Sequence, residues 1–145
     1  MENIEWKYGL AWSDEYETGY EEIDNQHKRL FKLVSDLIES CQRNDNKIAV
    51  GETLSFLVDY AGKHFEDEER IAGLYNYPQQ KQHKKIHEDF SKTVALYVER
   101  YNESGDSDAL FIAVNKIIAR WLVEHIQGED IKIAQRIQIT LGKNL

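Results

Sequence analysis

The sequence predicts an all-α protein, specifically an antiparallel four-helix bundle with up-down-up-down order. Four segments of about twenty residues carry apolar side chains at steps of three and four, the period of a helix with one buried face. Short polar or glycine-containing segments separate them, and short connections place successive helices side by side in opposite directions. No strand pattern competes before the C-terminal tail. The 145 residues, 41% of them hydrophobic, are enough for one domain with a real core.

The predicted single domain has three parts: an N-terminal arm (1–20), the bundle (21–130) and a C-terminal extension (131–145). The arm has aromatic residues and glycines without a helical period, so we expect an aromatic arm that lies across the bundle. These residues are Trp6, Tyr8, Trp12 and Tyr16, with Gly9 and Gly19.

The predicted helices of the bundle cover residues 21–41, 48–72, 79–101 and 108–128. Polar turn-prone residues, the only proline (Pro78) and a loop with Gly105 mark the breaks between them. On the fourth helix, Ile117 is predicted on the inner face. The tail after Asp130 suits either a helix or a strand by its pattern, and we favour a short helix docked on the bundle.

The composition narrows the possible partners. A net charge of −8 and a pI near 5.1 argue against nucleic acid and anionic membranes, which select for basic surfaces. No apolar run approaches the roughly 20 residues of a membrane span, and the acidic N-terminus does not have the pattern of a signal peptide. We therefore expect a cytoplasmic protein without membrane insertion. Cys41 is the only cysteine, which excludes a disulfide framework and a cysteine-rich metal site.

His64 and Glu68 lie four residues apart in the second predicted helix. That step is one turn plus about 40°, with a rise of roughly 6 Å, so both side chains leave the same face. The apolar residues around them mark this face as buried, where an unpaired charge is very costly. A metal ion is one partner that would satisfy both side chains.

All five histidines fall on predicted apolar faces, and every helix supplies at least one. His83 and His87 repeat the four-residue spacing on the third helix, while His27 and His125 lie on the first and fourth. One such residue alone would be explained as a satisfied core histidine. Five of them on four helices indicate a shared metal site.

The types of residue in this set narrow the choice of metal. Imidazole and carboxylate without thiolate suit iron, zinc, copper, nickel or manganese, and five imidazoles exceed what one tetrahedral zinc can use, so two metal ions are expected. Asp130 lies five residues after His125, which overshoots a regular turn by about 140°. Asp130 can therefore join His125 only if the helix loosens or ends near Gly128. Three flanking carboxylates are predicted to be solvated, namely Glu66, Asp67 and Glu69.

Four motifs in this order resemble the hemerythrin family, and more closely its single-domain bacteriohemerythrin-like branch. They are I-D-N-Q-H at 23–27, H-F-E-D-E at 64–68, H-K-K-I-H at 83–87 and W-L-V-E-H-I-Q-G-E-D at 121–130. The resemblance implies a non-haem di-iron centre with two iron ions per chain and an oxo or hydroxo bridge. It further implies two bridging carboxylates, Glu68 and Asp130, with one iron on His83, His87 and His125 and the other on His27 and His64.

With these ligands, the resemblance leaves one coordination position open, on the iron with two histidines. Dioxygen would bind there as the ligand, in an apolar pocket. By similarity the pocket is predicted to include Leu30, Phe65, Ala72, Trp121, Leu122 and Ile126. Ala72 departs from the methionine that many relatives carry, which would make the pocket roomier or wetter.

The function that the resemblance implies is reversible dioxygen binding, by an oxygen carrier, store or delivery protein rather than an enzyme, so no catalytic residue is predicted. Its partner could be an oxygen-consuming enzyme or a signalling protein. Two alternatives stay open, an oxygen or redox sensor and a di-iron enzyme that handles O₂, NO or peroxide. A ferritin-like oxidase is disfavoured, because its Glu-x-x-His spacing does not occur in this sequence.

Overall fold

The computed structural model describes residues 11–142, and this part of the chain is an all-helical bundle without strands. The all-α prediction is confirmed. Of the predicted arm, residues 1–10, with Trp6, Tyr8 and Gly9, lie outside the described residues. Trp12 and Tyr16 pack on Phe31 of the first helix, with ring centroids 5.4 and 5.0 Å from it.

The first three helices are α1 (Glu21–Gln42), α2 (Lys47–Leu74) and α3 (Gln80–Ser104). Their ends lie within three residues of the predicted ones, because local signals define them. The Asn46 side chain accepts a hydrogen bond from the Ala49 backbone N–H at 2.9 Å and so caps α2. Helix α3 ends at Ser104, and the next residue, Gly105, has a φ of +64° that suits glycine.

The fourth helical run is longer than predicted and does not end at residue 128. It contains α4 (Ser107–Ala113), a π-helical segment (Val114–Ile118), α5 (Ala119–His125), a second π-helical segment (Ile126–Asp130) and α6 (Ile131–Thr140). The helical prediction for the tail is confirmed. Helix α6 continues the run because it has its own apolar face to bury.

The first π-helical segment explains a wrong prediction for Ile117. That side chain is 37% exposed, whereas the next residue, Ile118, is 4% exposed and lies in the core. A π turn holds one more residue than an α turn, so it shifts the buried positions along the chain. A regular period of 3.6 residues cannot predict that shift.

Helix α1 packs against α2 and α4, α2 packs against α3, and α3 packs against α4. The interior has a main core and a smaller apolar cluster made of Ile23, Ile71, Ala72, Tyr77, Ile133 and Ile137. Along α1 and α2, the main core and the smaller cluster occupy successive stretches, and the predicted metal ligands lie where the two meet. Within the described residues, no helix is long and apolar enough to cross a membrane.

Candidate metal centre

The structure brings all seven predicted metal ligands into one buried site. Each is at most 5% exposed, although all are polar or ionisable. They come from α1, α2, α3, α5 and the second π-helical segment, and they are His27, His64, Glu68, His83, His87, His125 and Asp130.

The seven side chains form two overlapping groups in which the ligand atoms lie within 4.8 Å of one another. The three-histidine group consists of His83, His87 and His125 with both carboxylates. The two-histidine group consists of His27 and His64 with the same two carboxylates. Glu68 and Asp130 therefore belong to both groups.

Glu68 presents one oxygen to each group. Its Oε1 lies 2.8 Å from His83 Nε2 and 3.2 Å from His87 Nε2. Its Oε2 lies 3.4 Å from His64 Nε2 and 3.6 Å from His27 Nε2. The carboxylate thus spans the space between the two sets of imidazoles.

Asp130 repeats this arrangement from the other side of the site. Its Oδ1 lies 2.9 Å from His125 Nε2 and 3.2 Å from His83 Nε2, in the three-histidine group. Its Oδ2 lies 2.9 Å from His27 Nε2, in the two-histidine group. Each carboxylate has the placement that a ligand shared by two ions requires.

The second π-helical segment puts Asp130 in this position. It starts at Ile126, directly after His125, and ends at Asp130 itself. Because a π turn joins residues five apart, the five-residue step brings both side chains to one face of the helix. Of the two possibilities that the sequence left open, the helix loosens here rather than ends.

The two carboxylates favour protonation of histidines beside them. Burial alone would lower the pKa of His27 and of His83, but the nearby Asp130 and Glu68 carboxylates outweigh it and raise these values to about 9 and about 10. Burial acts to raise the pKa of Glu68 and of Asp130, yet the surrounding histidines hold both below the ordinary range. The site is therefore a tightly balanced cluster of opposite charges.

The donor set fits a pair of metal ions. Within residues 11–142, several buried ligand atoms approach one another to 2.9–3.6 Å without the geometry of a hydrogen bond, namely His27 Nε2, Glu68 Oε2 and both carboxylate oxygens of Asp130. Buried atoms of this kind are costly unless another partner satisfies them. Nitrogen and oxygen donors without thiolate suit iron among the metals that proteins bind.

Two outer histidine nitrogens have hydrogen-bond partners that the sequence did not predict. His64 Nδ1 lies 2.7 Å from Gln26 Oε1, and His87 Nδ1 lies 2.9 Å from Glu69 Oε2. Gln26 in turn donates from Nε2 to Asp67 Oδ2 at 2.7 Å. Burial acts to raise the pKa of Asp67, but hydrogen bonds from Gln26 and Lys63 outweigh it and lower that pKa.

The prediction that the flanking carboxylates are solvated is therefore wrong for Asp67 and Glu69, and it holds for the exposed Glu66. Both contacts cross between helices, from α2 to α1 and from α2 to α3. No spacing within one helix signals such a contact, since it depends on the register of one helix against the next.

Aromatic rings hold the planes of two imidazoles. Phe65 stacks on His87 with centroids 4.0 Å apart, and Trp121 stacks on His125 with centroids 4.3 Å apart. Phe90 in turn stacks on Trp121, with ring centroids 3.7 Å apart. The stacked rings restrict rotation of two of the three imidazoles of the three-histidine group, His87 and His125.

An apolar cavity of about 30 Å³ lies next to these rings. Four of the six predicted pocket residues line it, namely Leu30, Phe65, Trp121 and Leu122. Ile126 is not among its lining residues and is buried in the main core. Ala72 lies one turn beyond Glu68, in the smaller apolar cluster. The predicted place of Ala72 and Ile126 at an oxygen pocket stays a prediction.

Known proteins resemble this chain over most of its length. Residues 18–137 match the family model described as the hemerythrin HHE cation binding domain. A bacteriohemerythrin of Stenotrophomonas maltophilia (strain R551-3) is 35% identical over 92% of this chain and 85% of its own. A bacteriohemerythrin of Pseudomonas paraeruginosa is 36% identical over 83% of this chain and 76% of its own.

A myohemerythrin of Theromyzon tessulatum is 36% identical over 83% of this chain and 88% of its own. The matched residues include every one of the seven buried side chains of the site. With the family model covering most of the chain and relatives at this identity, the chain belongs to the hemerythrin family.

Proposed function

We propose that this protein binds dioxygen reversibly at a non-haem di-iron centre, as an oxygen carrier, store or delivery protein. In this proposal the three-histidine group would hold one iron ion and the two-histidine group the other. Glu68 and Asp130 would be ligands in both groups. The two-histidine group offers fewer protein ligands, so its side would be the one open to dioxygen.

The observation that carries the proposal is the shared position of the two carboxylates. Each has one oxygen toward the three-histidine group and the other toward the two-histidine group, at 2.8–3.6 Å from the imidazole nitrogens. A site for a single ion would not need two carboxylates that both face two sets of histidines. Five imidazoles also exceed the ligand number of one tetrahedral ion.

Two iron ions, when bound, would supply reversible electron transfer to O₂. The seven side chains of the site would hold the iron ions in place, and the residues around them limit the access of water and protons. The apolar cavity supports that second task, since its lining residue Phe65 lies beside His64 of the two-histidine group, with ring centroids 5.8 Å apart. An apolar lining favours O₂ over water and slows the delivery of protons.

The histidine-rich ligand set supports a carrier rather than an enzyme. Only two carboxylates serve the whole site, and we propose no catalytic residue. The relatives named bacteriohemerythrin and myohemerythrin support the same role. We further propose that its protein partner is an oxygen-consuming enzyme or a signalling protein.

The test is an optical spectrum with iron content, recorded after anaerobic reduction, again in air and again after evacuation. We expect two iron ions per chain and a visible charge-transfer band that appears with O₂ and disappears on its removal. Irreversible conversion to the oxidised form would contradict reversible binding and favour the sensor or enzyme functions. Absence of iron, or a single zinc ion, would contradict the di-iron site.

We also propose the antiparallel up-down-up-down order for the four main helices, in one domain that includes the N-terminal arm and the C-terminal extension. The short segments that join α1 to α2, α2 to α3 and α3 to α4 support it, because they leave little chain for a return crossing. Small-angle scattering of the intact protein would test the compact single domain. The cytoplasmic location stays a prediction from the sequence.

A further inference from the structure

We propose that Asp67 is a positioning residue that sets the tautomer of His64 through the side-chain amide of Gln26. Asp67 lies outside the seven ligands, and its effect reaches the site through two hydrogen bonds. The inference rests on the proposed function only in taking His64 as a metal ligand. The tautomer itself is a property of the protein.

Three side chains form a continuous path from the surface to the site. Asp67 Oδ2 accepts a hydrogen bond from Gln26 Nε2 at 2.7 Å. The other end of the same amide, Gln26 Oε1, lies 2.7 Å from His64 Nδ1. His64 Nε2 then faces Glu68 Oε2 at 3.4 Å, inside the two-histidine group.

The chemistry of these groups leaves one pattern of protons. An ionised carboxylate only accepts hydrogen bonds, so Gln26 must turn its NH₂ group toward Asp67. The carbonyl oxygen that remains also only accepts, so His64 Nδ1 must carry the hydrogen. The neutral ring then has its lone pair on Nε2, the atom that faces the site, as metal binding requires.

Without this constraint, the interior of the site would favour the opposite tautomer. Glu68 Oε2 is an acceptor near His64 Nε2, and it would attract a hydrogen on that nitrogen. The contact with Gln26 therefore favours the Nδ1–H tautomer, whereas Glu68 by itself would favour the Nε2–H tautomer.

The path is held at its outer end. Lys63 Nζ lies 3.1 Å from the same oxygen, Asp67 Oδ2, and Asp67 is only 21% exposed. Gln26 directly precedes His27 on α1, so neighbouring residues supply one ligand of the two-histidine group and the orienting group for the other. This keeps His27 and His64 in a fixed relation across α1 and α2.

In the three-histidine group, a single direct hydrogen bond favours the same tautomer of His87. Its Nδ1 lies 2.9 Å from Glu69 Oε2, an acceptor-only carboxylate. The amide in the path to His64 is different. A half turn of the Gln26 amide exchanges its donor and acceptor ends, whereas both oxygens of a carboxylate accept in either orientation. Reversal of Gln26 is therefore the property to test.

The first experiment measures the ¹⁵N shifts of His64 in the chelated protein, at a pH at which the ring is neutral. In the wild type we expect a pyrrole-type Nδ1 and a pyridine-type Nε2. In Asp67→Asn the introduced amide can donate to Gln26 Oε1, so Gln26 can reverse and His64 shifts toward the Nε2–H form. Unchanged ¹⁵N shifts in this variant would overturn the proposal.

A double variant separates tautomer control from a merely structural role. In Gln26→Glu with Asp67→Asn, the introduced carboxylate only accepts, and the introduced amide donates to it. We therefore expect the Nδ1–H form of His64 to return. Failure of the double variant to restore that form would overturn the proposal, because the hydrogen-bond pattern would then not determine the tautomer.

The second readout is anaerobic titration with Fe²⁺. Loss of an outer partner of a ligand histidine typically costs about 10–100-fold in metal affinity. We expect that loss in Asp67→Asn at one of the two ions, with recovery in the double variant. Glu66→Gln, which changes an exposed carboxylate of the same helix, is the matched control and should leave both affinities unchanged.

The outcomes separate this inference from the proposed function. If the wild type binds two iron ions and O₂ reversibly while Asp67→Asn leaves the tautomer and the affinities unchanged, only the inference fails. If the wild type does not bind O₂ reversibly, the proposed function fails. The ¹⁵N shifts of the chelated variants still decide the role of Asp67 in that case.

Discussion

Glu68 and Asp130 are the two residues on which the charge balance of the site depends. Both are buried completely or nearly so, and each faces imidazoles of both histidine groups. A buried group that loses its counter-charge is strongly destabilising. Substitutions at either carboxylate should therefore affect both metal positions rather than one.

Replacing Glu68 by glutamine preserves the shape of the side chain and removes its negative charge. We expect the iron content to fall from two ions per chain to one or none, because an amide is a poor bridge between two cations. Iron analysis after anaerobic reconstitution measures this. Glu66→Gln is the control, and two ions per chain in Glu68→Gln would contradict the bridging position.

The raised pKa values of His27 and His83 predict how the stability of the chelated protein depends on pH. A raised pKa in the folded state contributes stability that is complete below the unfolded value of about 6.5. That stability is lost as the pH rises through about 9 and about 10. Thermal unfolding should therefore occur at a lower temperature at pH 10.5 than at pH 6.5. Equal unfolding temperatures would contradict the proximity of both histidines to the carboxylates.

Leu122 lines the apolar cavity, so its size should control the lifetime of the oxygenated protein. In Leu122→Ala we expect faster autoxidation with two iron ions retained, because the enlarged cavity admits water. A buried leucine truncation also costs about 2–5 kcal/mol of stability. Leu74→Ala, at an exposed leucine, is the control, and an autoxidation rate equal to the wild type would place Leu122 away from the oxygen.

At the scale of single elements, α2 shows how one helix contacts two neighbouring helices and the site between them. Successive residues on a helix point about 100° apart. Asp67 reaches Gln26 on α1, Glu68 lies in the site, and Glu69 reaches His87 on α3. Three consecutive carboxylates therefore have three different functions in the geometry of the site.

The second π-helical segment is the other element that the site requires. It places Asp130 beside His125, and it also sets the register of α6, which buries Ile133 and Ile137 in the smaller cluster. A change of length that turns Asp130 off the His125 face should therefore affect the metal site and the cluster together.

Two single-residue changes of length test this. Deleting Gln127 removes the extra residue of the π turn, so Asp130 stays on the His125 face at α-helical spacing. Inserting an alanine after Gln127 turns Asp130 and all of α6 by about 100°. We expect the deletion to keep two iron ions and the insertion to lose iron and unfold at a lower temperature. Equal iron content in both variants would contradict the role of the π turn.

For the molecule as a whole, the site joins helices that otherwise meet through two separate apolar clusters. Ions bound only by the folded state stabilise it by mass action. At free metal a thousandfold above the dissociation constant, each ion adds about 4 kcal/mol. The ions would therefore supply much of the stability of this domain.

Removal of iron by chelation should consequently lower the unfolding temperature by at least roughly 10 °C, since about 1 kcal/mol shifts it by roughly 2–4 °C in a domain of this size. Calorimetry before and after chelation, with iron added back as the control, measures the effect. An unchanged unfolding temperature would mean that the seven residues do not hold the metal in the folded protein.

The sequence by itself determined the first three helices and the five histidines and Glu68 on the buried faces, while Asp130 joined this set through the family motifs. Periodicity identifies the buried face of each helix, and a histidine or carboxylate on that face, such as His64 or Glu68, is visible without coordinates. The division of the ligands into two groups came from the family motifs, since spacing within a helix does not say which helices meet.

Only the tertiary structure decided the contacts that cross between helices and the departures from the regular period. The partners of His64 and His87 depend on the register of α1 and α3 against α2. The π turn before Asp130, the exposure of Ile117 and the position of Ala72 beyond the cavity depend on how the whole chain packs. A pattern along one helix repeats every 3.6 residues whatever lies opposite, and for that reason it carries no information on these features.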